Sequence, residues 1–173
     1  MSDRLAEHVR AIHDYPQPGV VFRDITPLLG DAAALKSAID AMAERFVGSS
    51  IDRVIGIEAR GFILGAPLAI SLGAGFVPIR KAGKLPWAVV REEYQLEYGS
   101  DKLEIHRDAV RPGERILVVD DVLATGGTAS AACRLCDVLG AEVVGLAVLI
   151  EIAGLSGRDR LSGRRVESLI VFD

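Results

Sequence analysis

Residues 118–129, with the sequence VVDDVLATGGTA, combine residue types that suit phosphate chemistry. Paired glycines let backbone N–H groups approach an anion closely. A helix that begins at such a turn adds free N–H donors and a favourable dipole. Thr125 and Thr128 add hydroxyl groups, and the spacing matches neither a P-loop nor a dinucleotide fingerprint. The segment therefore predicts a cradle for one phosphate group.

Two carboxylates, Asp120 and Asp121, stand directly before this cradle, at the predicted end of an apolar strand. Carboxylates repel phosphate, but they accept hydrogen bonds from sugar hydroxyls. A diol site beside a phosphate site fits a ribose 5-phosphate. The alternative is that the pair only ends the strand and the glycines only make a turn. Ligands of open α/β sheets bind at the carboxyl ends of strands, which favours the binding site.

Cations occur in two further segments. Arg60 lies in the turn Glu58-Ala59-Arg60-Gly61, and a buried arginine beside a glycine turn is a suitable bidentate ligand for a phosphate-type anion. Arg80, Lys81 and Lys84 place three positive charges within five residues of an otherwise acidic chain, as an anion site requires. The alternatives are a surface salt bridge at Arg60 and a solvated basic turn at 80–84.

The remaining reactive residue types indicate no further chemistry. His8, His13 and His106 lack the spacing of metal ligands, so no metal site made by the protein is predicted. Cys133 and Cys136 form a C-x-x-C inside a predicted helix rather than at its start, where a redox pair would stand. Two cysteines and an N-terminus without an apolar signal segment fit a reducing cytoplasm.

Strands that alternate with helices predict an α/β protein with a central parallel sheet flanked by helices. Charged and apolar residues alternate over 88–107, which predicts an antiparallel hairpin, with its turn near 99–101, added to that sheet as a flap of about residues 82–108. The predicted helices are 3–13, 32–46, 62–72 and 127–139, and the other predicted strands are 53–57, 76–79, 115–119, 143–150 and 166–172.

Composition limits the remaining choices. A chain of 173 residues is expected to form one domain, residues 1–173. The net charge of -4 argues against a non-specific nucleic-acid binder, because such proteins carry a strong basic excess. The uncharged stretch 61–79 contains four glycines and two prolines and divides into a helix and a strand, so no membrane span is predicted.

The segment VVDDVLATGGT resembles the signature with which type I phosphoribosyltransferases bind 5-phosphoribosyl 1-diphosphate (PRPP). The segments PGVVFRDITPLL, IEARGFILGAPLA, IRKAGKLP and YQLEYGSDKLEIHRDAV follow in the order found in the adenine-using members of that family. The likeness runs from about Ile12 to the last residue. Val122 stands where leucine is expected, and Trp87 after KLP has no assigned role.

The resemblance implies a role for each group of residues in a type I phosphoribosyltransferase fold. It places the 5-phosphate and ribose of PRPP on Asp120, Asp121, Ala124, Thr125, Gly126, Gly127 and Thr128. It places the diphosphate on Glu58, Ala59, Arg60, Arg80, Lys81 and Lys84, with a cis peptide bond between Glu58 and Ala59. It places adenine on Val21, Phe22, Arg23 and Val122, although Phe22 could also be an ordinary core residue.

The resemblance also implies the reaction, in which PRPP and adenine give AMP and diphosphate for purine salvage, with Mg²⁺ carried by the diphosphate and the enzyme a homodimer. The flap contributes Glu97 as the catalytic residue near the purine N7 and Tyr98 beside it, although Glu97 could be merely an exposed residue of a hairpin tip. One alternative is another purine base, but no lysine that would read a 6-oxo group stands beside the Asp pair. The other is a PRPP-sensing nucleic-acid binder, but 173 residues with a net charge of -4 are expected to leave room for neither an added DNA-binding domain nor a basic face.

Overall fold

The computed structural model describes residues 2–95 and 100–173. The predicted residues Glu97 and Tyr98, and Gly99 of the predicted turn, lie outside the described residues. The helices are α1 (Ser2–Ala6), α2 (Thr26–Gly30), α3 (Ala32–Glu44), α4 (Arg60–Leu72) and α5 (Gly127–Val138). The strands are β1 (Arg10–His13), β2 (Val21–Asp24), β3 (Arg53–Ile57), β4 (Gly75–Lys81), β5 (Val89–Gln95), β6 (Ser100–His106), β7 (Arg115–Leu123), β8 (Glu142–Ile152) and β9 (Val166–Phe172).

The main sheet has seven strands in the order β5-β6-β4-β3-β7-β8-β9. Five strands of this sheet run parallel to one another: β4, β3, β7, β8 and β9. The hairpin β5–β6 pairs antiparallel with the free edge of β4. The prediction of an α/β fold with a mostly parallel central sheet and an added hairpin is therefore confirmed. Strands β1 and β2 form a separate two-stranded ribbon.

Strand β7 is buried on both faces, because its side chains alternate between two cores. Leu117 and Val119 pack with the helices of one face, where α3 and α4 contribute Met42 and Leu64. Val118 packs on the opposite face against α5 and the hairpin. Helices on both faces hold β7 rigidly, and its carboxyl end is where the predicted phosphate cradle begins. No helix among residues 2–95 and 100–173 is both long and apolar enough to cross a membrane.

The predicted helix 3–13 is wrong beyond Ala6. Residues Arg10–His13 form β1, which pairs antiparallel with β2, so that Ile12 lies opposite Phe22. The helical spacing of apolar residues is overridden by backbone hydrogen bonds to a partner strand further along the chain. This ribbon matters for the site because it carries the predicted adenine-binding residues.

The predicted end of the β7 strand at Val119 is also wrong, because the strand runs to Leu123. Pairing with β8 continues through Asp120, Val122 and Leu123, which lie opposite Val148, Ile150 and Glu151. Asp120 and Asp121 are therefore neighbours within a strand and project toward opposite faces of the sheet. The remaining predicted elements differ from the observed ones by three residues or fewer at either end, as element boundaries commonly do.

Candidate active site

A cavity of about 960 Å³ opens at the carboxyl ends of β3, β4, β7 and β8. All the predicted site residues within the described part of the chain line it, except Arg80 and Lys84. The lining residues that sequence reasoning predicted are Val21, Phe22, Arg23, Glu58, Ala59, Arg60, Lys81, Asp120, Asp121, Val122, Ala124, Thr125, Gly126, Gly127 and Thr128. This edge of a parallel sheet is where ligands of such folds bind.

The first polar wall of the cavity is the N-terminus of α5. The cap residue Gly126 has φ +80°, a left-handed conformation that a glycine adopts without strain. A Cβ atom on Gly126 would lie only 2.3 Å from the carbonyl oxygen of Gly157, so no larger residue fits there. Because the cap has no side chain, it supplies no acceptor to the first N–H groups of the helix. Those groups suit an anion.

The second polar wall is the N-terminus of α4, which begins at Arg60 after a cis peptide bond between Glu58 and Ala59. That cis bond is the one that the family resemblance implies. Gly61 brings this helix against β7, since a Cβ on Gly61 would lie 2.8 Å from the carbonyl oxygen of Val119. Two helix N-termini, each with a partial positive charge, therefore flank the carboxyl end of β7.

The carboxylates of Asp120 and Asp121 lie between these helix ends. Asp121 is only 4% exposed, and its Oδ2 forms an ion pair with Nε of Arg60. The N–H of Arg60 is not aligned with that oxygen, so Oδ2 has no hydrogen-bond donor among the described residues. Oδ1 of Asp120 accepts a hydrogen bond of 2.9 Å from the backbone N–H of Asp121. Burial, together with the charge of Asp121, raises the pKa of Asp120 well above its ordinary value.

Arg60 differs from its prediction as a buried arginine. Its side chain is 48% exposed, because the guanidinium lies on the cavity wall rather than behind it. Its Cζ atom is 5.6 Å from the centre of the Phe22 ring. Arg60 therefore joins the carboxylate pair to the predicted adenine-binding ribbon, and its ion pair is inside the cavity rather than on the outer surface.

The three cations of the 80–84 segment are separated by the structure. Arg80 faces Glu58 and donates to both carboxylate oxygens at 3.0 and 3.3 Å, which lowers the pKa of Glu58. Lys81 lines the cavity, where Nζ lies 3.0 Å from Oδ2 of Asp101, and this contact raises the pKa of Lys81. Lys84 is exposed, and its carbonyl oxygen accepts a hydrogen bond from Arg80. Only Lys81 of these three is placed to meet a ligand in this conformation.

The predicted adenine residues form a mainly apolar end of the cavity. Phe22 and Val122 both line it, and the ring of Tyr15 meets that of Phe22 edge to face at 5.4 Å. The guanidinium of Arg23 stacks on Phe172, with Cζ 3.9 Å from the ring centre. Arg23 is thereby held by its side chain, which leaves its backbone at the cavity wall.

Sequence reasoning missed several cavity residues that come from distant parts of the chain: Pro16, Tyr94, Asp101, Leu103, Leu123, Ile152 and Leu155. The alternating pattern of the hairpin predicts a half-buried face, but it does not say that this face meets the cavity. Gly157, which backs Gly126, carries no local signal at all. Cys133 and Cys136 lie buried inside α5, and burial raises their thiol pKa values to about 11 and about 12, so the C-x-x-C is not a reactive pair.

The raised pKa of Asp120 leads to a test of stability against pH. Ionisation of this carboxyl destabilises the folded chain as the pH rises above the ordinary value of 3.8, because the unfolded chain ionises more easily. Asp120→Asn keeps the acceptor oxygen without the charge, so the variant should melt at a higher temperature than the parent at pH 7. Each kcal/mol relieved corresponds to about 2–4 °C in Tm. The difference should shrink as the pH falls toward 4.

A matched control for this measurement is Asp40→Asn, which removes an exposed carboxylate on α3. Its Tm should stay within about 2 °C of the parent at both pH values. An Asp120→Asn variant that melts no higher than the parent at pH 7, or whose gain is the same at both pH values, would contradict the assignment of a destabilising charge.

The comparisons with known proteins agree with this geometry. The family model described as a phosphoribosyl transferase domain matches residues 29–171. The adenine phosphoribosyltransferase of Thermobifida fusca is 57% identical over 98% of this chain and 96% of its own length. The structure of the adenine phosphoribosyltransferase of Thermoanaerobacter pseudethanolicus is 47% identical, with a TM-score of 0.97 over 99% of this chain and all of that one.

A third relative was solved with ligands. The adenine phosphoribosyltransferase of Saccharomyces cerevisiae, complexed with an imino-altritol bisphosphate and adenine, is 37% identical with a TM-score of 0.92 and 97% coverage of each chain. Sequence, fold and cavity therefore lead to one assignment: the chain belongs to the phosphoribosyltransferase family, among the adenine phosphoribosyltransferases.

Proposed function

We propose that this protein transfers the 5-phosphoribosyl group of PRPP to N9 of adenine, releasing diphosphate and forming AMP in purine salvage. The observation that carries the proposal is the arrangement of two helix N-termini on either side of a carboxylate pair in one cavity. PRPP has the matching form, with a phosphate and a diphosphate on either side of a ribose diol. The ligands of the yeast relative, a bisphosphate and adenine, support the same pairing of substrates.

The 5-phosphate binds at the start of α5. Its oxygens accept hydrogen bonds from backbone N–H groups of the loop 124–128, and Thr125 and Thr128 add hydroxyl donors. The left-handed Gly126 and the adjacent Gly127 keep this loop close to the anion without side chains in the way.

The ribose hydroxyls bind to Asp120 and Asp121. A carboxylate that accepts a hydroxyl hydrogen bond gains about 1.5–3 kcal/mol when its partners are otherwise poorly satisfied. Oδ2 of Asp121 is buried and lacks an aligned donor among the described residues, so it is an acceptor ready for such a hydroxyl. Hydroxyl donors also lower the cost of ionising Asp120 in the enclosed cavity.

The diphosphate binds at the second helix terminus, on Ala59 and Arg60, with Lys81 opposite. Each of these cations is paired with a carboxylate, Arg60 with Asp121 and Lys81 with Asp101. A diphosphate offers a higher charge than either carboxylate and can draw both cations toward itself. Arg80 stays with Glu58 and fixes the turn that carries Ala59, and Lys84 supplies charge from outside the cavity.

Adenine occupies the apolar end, with its faces against Phe22 and Val122 and its edge against the backbone of Val21 and Arg23. Offset stacking on an aromatic ring is favourable for a flat base. Backbone N–H and C=O groups can read the donor and acceptor pattern of the 6-amino edge, and the stacking of Arg23 on Phe172 holds this backbone in place.

Mg²⁺ is proposed to enter with the diphosphate. Among the described residues no group of three or more His, Cys, Asp or Glu side chains could hold a metal ion by itself. The carboxylate oxygens of Asp120 and Asp121 are hard oxygens of the kind that Mg²⁺ prefers, so the donor set at this pair fits an ion that keeps several waters. When bound, the ion neutralises charge on the leaving diphosphate.

The reaction breaks the bond between C1′ and the diphosphate oxygen and forms the bond between C1′ and N9, while adenine loses its N9 proton. Positive charge develops on the ribose as the diphosphate leaves, so positioning and charge stabilisation supply most of the acceleration. Glu97, which lies outside the described residues, is proposed to assist the proton balance at the purine N7, with Tyr98 beside it. A closed flap would keep out water, which is the competing nucleophile.

We also propose a homodimer located in the cytoplasm. Ile63 and Ile70 are seven residues apart on one face of α4, and both are exposed, which suits burial against a second copy. Light scattering at micromolar concentration should give twice the chain mass of 18.5 kDa, and a monomer mass would count against the dimer. The free thiols of Cys133 and Cys136 fit a reducing compartment.

The experiment that tests the proposed function is a panel of bases with PRPP and Mg²⁺, followed by release of diphosphate. Adenine should support turnover at least about a hundredfold faster, as kcat/KM, than hypoxanthine, xanthine or guanine, because a 6-oxo edge leaves backbone partners unpaired. Turnover with adenine should fall sharply when Mg²⁺ is chelated. Activity with a 6-oxopurine but none with adenine would overturn the proposal.

A second experiment tests the flap residue. Glu97→Gln keeps the size of the side chain but removes its charge and its ability to carry a proton. A lost general acid or base costs about 10²–10⁴-fold, so kcat should fall about a hundredfold while the KM for PRPP changes little. Glu93→Gln is the matched control, because Glu93 lies on β5 of the same hairpin and its side chain, among residues 2–95 and 100–173, bonds only to Ser100 and Lys102. Equal kcat values for the two variants would remove Glu97 from the chemistry.

A further inference from the structure

The segment 153–161 forms the rear support of the phosphate loop. Two short 3₁₀ turns, Ala153–Leu155 and Gly157–Leu161, follow β8 and pass behind residues 124–126. The backbones approach so closely that a Cβ on Gly157 would lie 2.2 Å from the carbonyl oxygen of Ala124 and 3.1 Å from the nitrogen of Gly126. The position of Gly157 therefore sets the position of the loop at the start of α5.

Arg158, the residue after Gly157, is hydrogen-bonded to the last part of β8 and the first part of β9. Its Nε and Nη2 donate to the two carboxylate oxygens of Glu151, each at 2.7 Å, in a bidentate pair. Its Nη1 donates to the carbonyl oxygen of Val166 at 3.0 Å, and Ser168 Oγ also donates to Glu151. Such a planar fork fixes both distance and orientation, which a single ion contact does not.

Glu151 is itself buried and held within the main sheet. It is 7% exposed and lies on β8 directly opposite Leu123, the last residue of β7 before the phosphate loop. The hydrogen bonds from Arg158 lower its pKa, so the pair stays ionised at neutral pH. Neither Glu151 nor Arg158 lines the cavity, so neither touches a ligand bound there.

From this geometry we infer that the Glu151–Arg158 pair positions the phosphate loop for the 5-phosphate of PRPP, by holding Gly157 against Ala124 and Gly126. The inference rests on the proposed function, since it assigns these positioning residues to the 5-phosphate subsite. Adenine binds at the other end of the cavity, on the β1–β2 ribbon, so loss of the pair acts on PRPP and leaves adenine almost unaffected. A displacement of about 1 Å in a binding group is enough to cost up to about a hundredfold.

The test compares Arg158→Ala and Arg158→Lys with the unaltered chain, in steady-state kinetics with each substrate varied. Arg158→Ala should raise the KM for PRPP at least about tenfold while kcat stays within about threefold, as expected for lost binding that is uniform along the reaction. The KM for adenine should stay within about twofold. The KM of Arg158→Lys for PRPP should lie between those of the unaltered chain and Arg158→Ala, because an ammonium group cannot bridge both oxygens of Glu151.

The matched control is Arg45→Ala. Arg45 pairs with Glu167 on β9 at 3.0 Å and is 46% exposed, against 49% for Arg158, but it does not contact the loop. It should leave both KM values unchanged. If Arg158→Ala does not fold, the variants Arg158→Lys and Glu151→Gln test the inference by the same criterion. The KM for PRPP should rise while the KM for adenine stays unchanged.

Two results would overturn the inference: a KM for PRPP within twofold of the parent in the folded Arg158 variants, or equal rises for PRPP and adenine. The second result would show general loosening rather than a positioned loop. Failure of the proposed function is distinguishable, because the unaltered chain would then show no PRPP-dependent conversion of adenine at all.

Discussion

Two adjacent carboxylates inside the end of a buried strand are the constraint on which the rest of this site depends. Asp120 and Asp121 project to opposite faces of β7, in an enclosed cavity where two unpaired charges are costly. Arg60 offsets the charge of Asp121, and Asp120 carries a raised pKa. Both features follow from placing an acid pair between two helix N-termini, and the proposed ribose diol and Mg²⁺ would relieve both.

Positively charged side chains of this region are also paired with carboxylates. Three cations near the proposed diphosphate site are each held by a carboxylate: Arg60 by Asp121, Arg80 by Glu58 and Lys81 by Asp101. A net-acidic protein thereby keeps a group of positive charges in place. The pairs differ in whether their cation can reach a ligand. Arg80 is fixed by two hydrogen bonds to Glu58, whereas Arg60 and Lys81 lie on the cavity wall, where each can exchange its carboxylate for a phosphate.

The parts of the site that the sequence predicts are the local ones. The phosphate loop and the acid pair are contiguous, so the eleven-residue segment VVDDVLATGGT is enough to predict their chemistry. The apolar run before the acid pair predicts the strand. The register of β7 with β8, the pairing of β1 with β2 and the meeting of Asp101 with Lys81 depend on contacts between distant segments. Sequence periodicity therefore misplaced the first helix and the end of β7. Gly157 could not be found because its role depends on a backbone 31 residues away.

The central claim is that the carboxyl end of β7 binds ribose on its acid pair and phosphate on the following loop. A crystal structure of the protein with AMP tests it most directly. The account predicts the 5-phosphate against the backbone N–H groups of residues 125–128, the ribose hydroxyls on Asp120 and Asp121, and the base between Phe22 and Val122. A phosphate bound instead at Lys81 and Lys84, with the ribose away from the acid pair, would contradict it.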